Sequence, residues 1–187
     1  MATTRLQPKD LNWLRKPSLY LMNGGKIVIE TEPYSTFAPT TKTLNDAFGL
    51  VMEPSGNFSF TLRMDYAFHD LDDQCGIFIK KDNKHWITLG LENKKDSYQL
   101  ACTVYNNGYK DRSVRELGSG ILWLYLKVVY WKGNAGFYYS FHGDSYSQIR
   151  NLHFEMDQSQ IQTGLYACSL GNSYYDATFS EMELESI

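Results

Sequence analysis

Apolar and polar residues alternate along most of this chain with a period of two, the repeat of an extended strand. FSFTLRMDY (58–66) sets Phe58, Phe60, Leu62 and Met64 against Ser59, Thr61, Arg63 and Asp65. DQCGIFIKKDNKHWITLGLE (73–92) puts Ile77, Ile79, Ile87, Leu89 and Leu91 on one side and Gln74, Trp86, Thr88 and Glu92 on the other. Further strands are predicted in SLYLMN and KIVIETE around Gly24-Gly25, and in CGIFIKK and HWITLGLE around Asp82-Asn83. YQLACTVYNNG ends in Asn107-Gly108, and ILWLYLKVVYWKG meets AGFYYSFHG across Gly133-Asn134. Such dipeptides mark tight hairpin turns. GLYACSL (164–170) and DATFSEMEL (176–184) close the series. Helical periodicity is confined to QPKDLNWLR and EMDQSQIQ, each enough for a short turn, and residues 33–47 read as a loop rich in Pro and Thr.

Roughly ten short antiparallel strands with Gly/Asn turns predict a β-sandwich or barrel. There is no repeat of fixed period and no low-complexity linker, so residues 1–187 are expected to form one domain, with 1–17 a short helical or irregular lead-in.

Extending the alternation across the middle strands gives a core side of Phe60, Leu62, Met64, Ile77, Ile79, Ile87, Leu89, Leu91, Leu100, Cys102, Val104, Leu122, Leu124, Leu126 and Val128. The opposite side carries Arg63, Asp65, Gln74, Trp86, Thr88, Glu92, Tyr105, Trp123, Tyr125 and Lys127. On a shared sheet these ten form a face of aromatics among carboxylate, amide and cationic groups. A sugar ring stacks its C–H patches on Trp or Tyr and bonds its hydroxyl rim to Asp, Glu, Gln and Arg, so a concave sheet face of this make-up suits carbohydrate. The competing reading has Trp123 and Tyr125 beneath a second apolar layer, and Arg63 and Lys127 in cross-strand ion pairs.

Composition narrows the classes. With 18 basic and 21 acidic residues the net charge is −3, which supplies no field for nucleic acid or anionic lipid. The longest apolar run, ILWLY, is far short of the ~20 residues of a membrane span. MATTRLQPKD lacks the apolar stretch of a signal peptide, so a cytoplasmic protein is expected. Cys75, Cys102 and Cys168 are widely spaced and odd in number, as expected of reduced core thiols. Aromatics reach 15% of the chain, which favours strands and a ring-binding surface.

Catalytic signatures are sparse. Glu92 with Asp65 is the weak candidate for a glycosidase pair, but no Glu-x-Asp-x-Glu motif is present, and EMELE (181–185) reads as an exposed strand edge. His69, His85, His142 and His153 lack ligand spacing, so no metal or other cofactor is expected. The acidic run HDLDD (69–73) reads as a solvated loop, and no phosphate-binding or nucleophile motif appears.

Asp73, Gln74 and Gly76, followed by Trp86, Gly90 and Glu92, resemble a domain-of-unknown-function family labelled "regulation of enolase-like", in the concanavalin A-like lectin/glucanase superfamily. Its Asp-Gln-x-Gly strand and Trp-x-Lys-x-Gly-x-Glu strand are matched with Thr88 at the Lys position. Ser140, Gly143, Tyr146, Arg150 and the GLYA segment (164–167) extend the likeness over roughly residues 18–184, with His142 in place of an Asp. The resemblance implies an all-β, two-sheet antiparallel jelly-roll sandwich. It leaves three functions open: non-catalytic carbohydrate or sugar-conjugate recognition, a cytosolic regulatory partner of a metabolic enzyme, and a glycoside-active enzyme using Glu92. No nucleic acid or membrane partner is expected, and the protein would be a monomer or homodimer.

Overall fold

The computed structural model describes residues 2–37, 46–154 and 161–187, and it is built from two antiparallel sheets packed face to face. Sheet I runs β13 (Ser147–His153), β12 (Asn134–Ser140), β11 (Trp123–Trp131), β6 (Phe58–Tyr66), β15 (Asp176–Ser186), β4 (Lys26–Glu30) and β3 (Tyr20–Asn23). β1 (Ala2–Arg5) also lies along β15. Sheet II runs β10 (Tyr109–Leu117), β9 (Tyr98–Asn106), β8 (His85–Asn93), β7 (Gln74–Asp82), β14 (Gln162–Cys168), β5 (Phe48–Met52) and β2 (Asn12–Arg15). This is the sandwich, rather than the barrel, of the two folds that the alternation allows, and the jelly-roll that the resemblance implies.

The main core is the apolar half of each alternating strand. Phe60, Leu62 and Met64 of β6 and Leu124, Leu126 and Val128 of β11 meet Ile77 and Ile79 of β7, Ile87, Leu89 and Leu91 of β8, and Leu100 and Cys102 of β9. Leu122, expected inside on parity, precedes β11 and is 66% exposed, because alternation has no force outside the strand. The hairpin turns fall one residue away from two predicted dipeptides. They occupy Asn83-Lys84 and Lys132-Gly133, while Asn107-Gly108 is where it was expected. Asn107 and Lys132 adopt positive φ (48° and 45°), followed by Gly108 and Gly133 at 90° and 77°. Two successive left-handed residues give the turn whose twist suits a two-residue hairpin.

Five strands go beyond the periodic reading. The lead-in holds a short helical turn, Pro8–Asp10, as expected, but it lies between two strands: β1 pairs with β15 and β2 pairs with β5. β5, β10 and β13 also lack clear alternation, and the segment EMDQSQIQ lies almost wholly outside the described residues. EMELE is not an edge. β15 lies inside sheet I, its first half beside β4 and its second beside β1, and a bulge at Glu181 (φ 51°) separates the halves.

Sheet II is buried on its outer face as well. The segment 31–37 is pinned by hydrogen bonds from Tyr34 to Gly171 (3.0 Å) and from Ser35 to Ser169 (2.8 Å). It delivers Phe37 onto Phe78, Trp86 and Tyr166, with ring centroids 5.1, 5.2 and 4.9 Å away. The ring of Tyr166 lies over the paired glycines Gly76 and Gly90, so that a Cβ at Gly90 would sit 2.1 Å from the phenol oxygen.

All three cysteines are buried and free. Burial pushes the Cys102 thiol up to about 12, and raises Cys75 and Cys168 above the usual thiol range. The thiolate is the reactive form, so Ellman's reagent at pH 8 should leave the native chain unlabelled and titrate three thiols only after denaturation. Gly90→Ala should destabilise by about 1–3 kcal/mol, the cost of forcing a methyl into a filled space, read as a lower urea midpoint.

Candidate functional site

Register decides which side chains meet on the outer face of sheet II. Lys80, Trp86, Tyr105 and Lys110 form one cross-strand row. Phe78, Thr88, Thr103 and Arg112 form the next, then Gly76, Gly90, Ala101 and Val114, then Gln74, Glu92, Gln99 and Glu116. In the third row the Tyr166 ring takes the space above Gly90, and beyond it a trough lies among the polar groups of the second and fourth rows. The result is a cleft of about 230 Å³, lined by Gln74, Trp86, Thr88, Glu92, Thr103 and Tyr105 and walled by Asp72, Lys94, Lys110, Arg112, Thr36, Phe37 and Leu170.

At one end of the cleft Glu92 is buried and ionically paired. Arg112 reaches diagonally across the Ala101 position to donate to Glu92 Oε2 at 2.7 Å. Lys94 Nζ lies 3.0 Å from the same oxygen and also bonds Asp72. Burial alone would lower the Lys94 ammonium, but its bonds to Asp72 and Glu92 outweigh that and hold it above its ordinary range. Beneath this cluster Asp73, fully buried, accepts from the backbone N–H groups of His69 (2.9 Å) and Asp70 (2.8 Å) and from the Ser169 hydroxyl (2.5 Å). Those bonds fix the loop that carries Asp72, and Tyr175 donates to the Gln74 carbonyl at 2.6 Å. The Gln74 amide itself makes no hydrogen bond among the described residues, which leaves its donors and acceptor available to the cleft.

The other end of the cleft is aromatic. The Trp86 and Tyr105 rings are parallel, 4.7 Å apart and within 1° of coplanar orientation. Trp86 is only 4% exposed, because Tyr105 covers one face and Phe37 abuts it edge-on. Trp86 therefore backs the half-buried Tyr105 and does not offer an open stacking face of its own.

The ten residues read as one face divide between two. Gln74, Trp86, Thr88, Glu92 and Tyr105 meet in the sheet II cleft. Arg63, Asp65, Trp123, Tyr125 and Lys127 stand on the outer face of sheet I, on the far side of the sandwich, because β6 and β11 pair with each other and not with β7 or β8. There Arg63 is ion-paired, but chiefly within its own strand, with Glu181 across the sheet at 3.9 Å. It forks onto Asp65 (3.0 and 2.8 Å), which holds its guanidinium above the ordinary range, and lies 5.0 Å from the Trp123 ring. Lys127 sits over Tyr146 (4.5 Å) rather than beside a carboxylate, and the Tyr125 hydroxyl donates to Glu181 at 3.2 Å. Glu92 and Asp65 consequently lie on different sheets and form no glycosidase pair. Among the described residues no group of three His, Cys, Asp or Glu is placed to hold a metal.

Residues 13–187 match the family described as "Protein of unknown function (DUF1349)". The chain belongs to the DUF1349 family. This DUF1349 chain is 27% identical over 175 residues to a Saccharomyces cerevisiae protein named "Regulation of enolase protein 1", covering 92% of this chain and 87% of that one. It also superposes on a crystal structure described as a functionally unknown protein from Saccharomyces cerevisiae, with a TM-score of 0.87, 24% identity and coverage of 97% and 99%. The GH43 protein BlXynB of Bacillus licheniformis shares the fold over 98% of this chain but only 38% of its own, with a TM-score of 0.75 and 14% identity.

The residues that sequence alone missed are the cationic wall of Lys94, Lys110 and Arg112 with Asp72. The signal was present in the Asn107-Gly108 turn, which demands a strand after it, and in YKDRSVREL, where Lys110 and Arg112 fall on one parity. Glu92→Gln and Arg112→Ala should each destabilise this DUF1349 chain. The double variant should cost less than the sum by about 1–2 kcal/mol, a coupling read by a urea-denaturation cycle.

Proposed function

We propose that this chain is a non-catalytic binding protein whose sheet II cleft recognises a hydroxyl-rich small ligand of the carbohydrate type. The observation that carries the reading is the convergence of the unbonded Gln74 amide, the Thr88 and Thr103 positions and the Arg112–Glu92 pair in one cleft beside Tyr105. Amide, hydroxyl and charged groups together offer donors and acceptors in the mixture that a hydroxylated ring needs, and the half-buried Tyr105 ring, backed by Trp86, supplies an apolar side. A few placed polar groups in a shaped cleft orient a small ligand without any reacting group.

Turnover has less support. A glycosidase needs one carboxyl group protonated to serve as general acid and a second ionised opposite it. Both carboxylates in this cleft are bound to a single ammonium, Lys94, and Glu92 is further held by Arg112, so they are tied into one ion-pair cluster and do not face each other across a space for substrate.

A second reading rests on the yeast relative named for regulation of enolase. On that reading the chain is a regulatory partner of a metabolic enzyme, and a ligand in the cleft would set whether the two associate. Co-purification with enolase, with and without added ligand, tests this reading separately from ligand binding.

Calorimetric titration of the full chain with a panel of free hexoses and pentoses tests the first reading. At least one should bind, and Gln74→Ala or Tyr105→Ala should weaken it about tenfold, the loss of about 1.4 kcal/mol expected for one net hydrogen bond or one ring contact. Absence of heat with every sugar, or full affinity in both variants, would overturn it.

A further inference from the structure

The charges of the cleft do not balance. Its walls carry three cations, Lys94, Lys110 and Arg112, against two carboxylates, Asp72 and Glu92. Lys94 is committed to both carboxylates. Arg112 gives one terminal nitrogen to Glu92 and makes no further hydrogen bond among the described residues, which leaves its other N–H groups available. Lys110 has no carboxylate within ion-pair distance among the described residues. The surplus positive charge therefore lies at the β10 side, although the chain as a whole carries −3. Lys110 and Arg112 are two residues apart on β10, so both project onto the same face, roughly 7 Å apart along the strand. They stand beside Tyr105 and Thr103 respectively in the register of β9. A guanidinium with free N–H groups and a neighbouring ammonium make a seat for a tetrahedral or planar oxyanion.

We propose that the cleft contains an anion subsite, formed by Lys110 and the free edge of Arg112, so that the preferred ligand is a hydroxylated ring or chain bearing one phosphate or carboxylate group. The inference rests on the cleft reading above and adds the class of ligand. The anion occupies the β10 wall while the hydroxyl groups face Gln74 and the threonines. Glu92 then has a positioning role: it holds Arg112 across the trough, with one edge of the fork directed to the protein and the other available to the ligand.

The test compares four probes on the full chain by calorimetry at low salt: glucose, glucose 6-phosphate, glucuronate and inorganic phosphate. An anionic sugar should bind at least about tenfold more tightly than glucose, the gain of one charge-assisted contact. Lys110→Ala should shrink that ratio to within about twofold, and raising salt should do the same. Arg112→Lys, which keeps the charge and loses the fork, should weaken the anionic sugars only. The phosphate and glucuronate arms distinguish the two kinds of anion. Equal affinity for glucose and its anionic forms would sink the subsite and leave the cleft reading standing. Binding of inorganic phosphate alone, lost in Lys110→Ala, would keep the subsite and overturn the carbohydrate reading. Silence from all four probes would count against both.

Discussion

The structure depends on burying both faces of one sheet. Sheet II packs its inner face on sheet I, and on its outer face Phe78, Trp86 and Tyr166 form a second apolar cluster beneath Phe37. A strand in that position cannot follow simple alternation of apolar and polar residues: β8 and β14 are buried along almost their whole length, and β7 is buried without a break from Cys75 to Ile79. The glycine pair Gly76–Gly90 follows from the same constraint. A tyrosine ring laid flat on a sheet needs neighbours without side chains, and a Cβ at Gly90 would meet its phenol oxygen. The cover is held in place by backbone bonds from the 31–37 segment to the 169–175 loop, so the outer cluster and the loops around the cleft are parts of one hydrogen-bonded system.

That constraint also produces the cleft. Where Phe37 ends, the outer face of sheet II continues onto β8, β9 and β10 without a cover, and the uncovered part is polar. Glu92 stands at the boundary, nearly buried, and a carboxylate there is tolerated only with partners. Arg112 and Lys94 supply them. The buried Asp73 is the deeper anchor: it fixes the loop carrying Asp72, which in turn holds Lys94. The Asp-Gln pair at 73–74 thus divides its labour. Asp73 builds the wall, and Gln74 presents its amide to the opening.

Most of the fold was legible because the inner-face residues obey the pleat. Phe60, Leu62 and Met64, or Ile87, Leu89 and Leu91, announce both a strand and its buried side. Part of the site was legible for the same reason: Gln74, Trp86, Thr88, Glu92 and Tyr105 share a parity and a sheet. Parity, however, says only which side of its own strand a residue takes. It cannot say which strands are neighbours, and so it does not separate Arg63, Asp65, Trp123, Tyr125 and Lys127 from residues on the opposite surface. Nor does alternation reveal a second cover. Phe37 sits in a stretch that reads as loop, and its effect on Trp86 comes from tertiary packing. β10 was hidden for a different reason. An edge strand with little apolar area to bury has no periodic signal, and its inward side at Asp111 and Ser113 meets Arg150 of β13 in place of a core.

The two outer faces differ in a way that bears on which of them is built for a ligand. On sheet I some of the polar groups are paired locally: Arg63 forks onto Asp65, and Lys127 and Tyr125 are taken up by Tyr146 and Glu181, while Arg5, Lys26, Glu183 and Glu185 stand on the open surface beside them. Such pairs on an open surface are each worth little and leave few contacts unmade. On sheet II the partners are fewer than the groups. The Gln74 amide and Lys110 have none among the described residues, and Arg112 uses only one edge of its fork. These groups are open to solvent, so a ligand in the cleft would exchange water for itself on donors and acceptors that the protein leaves unused. What separates the two faces is therefore enclosure: on sheet II the uncommitted groups line one walled cleft with Phe37 and Leu170, whereas on sheet I they are spread over shallower, more open ground.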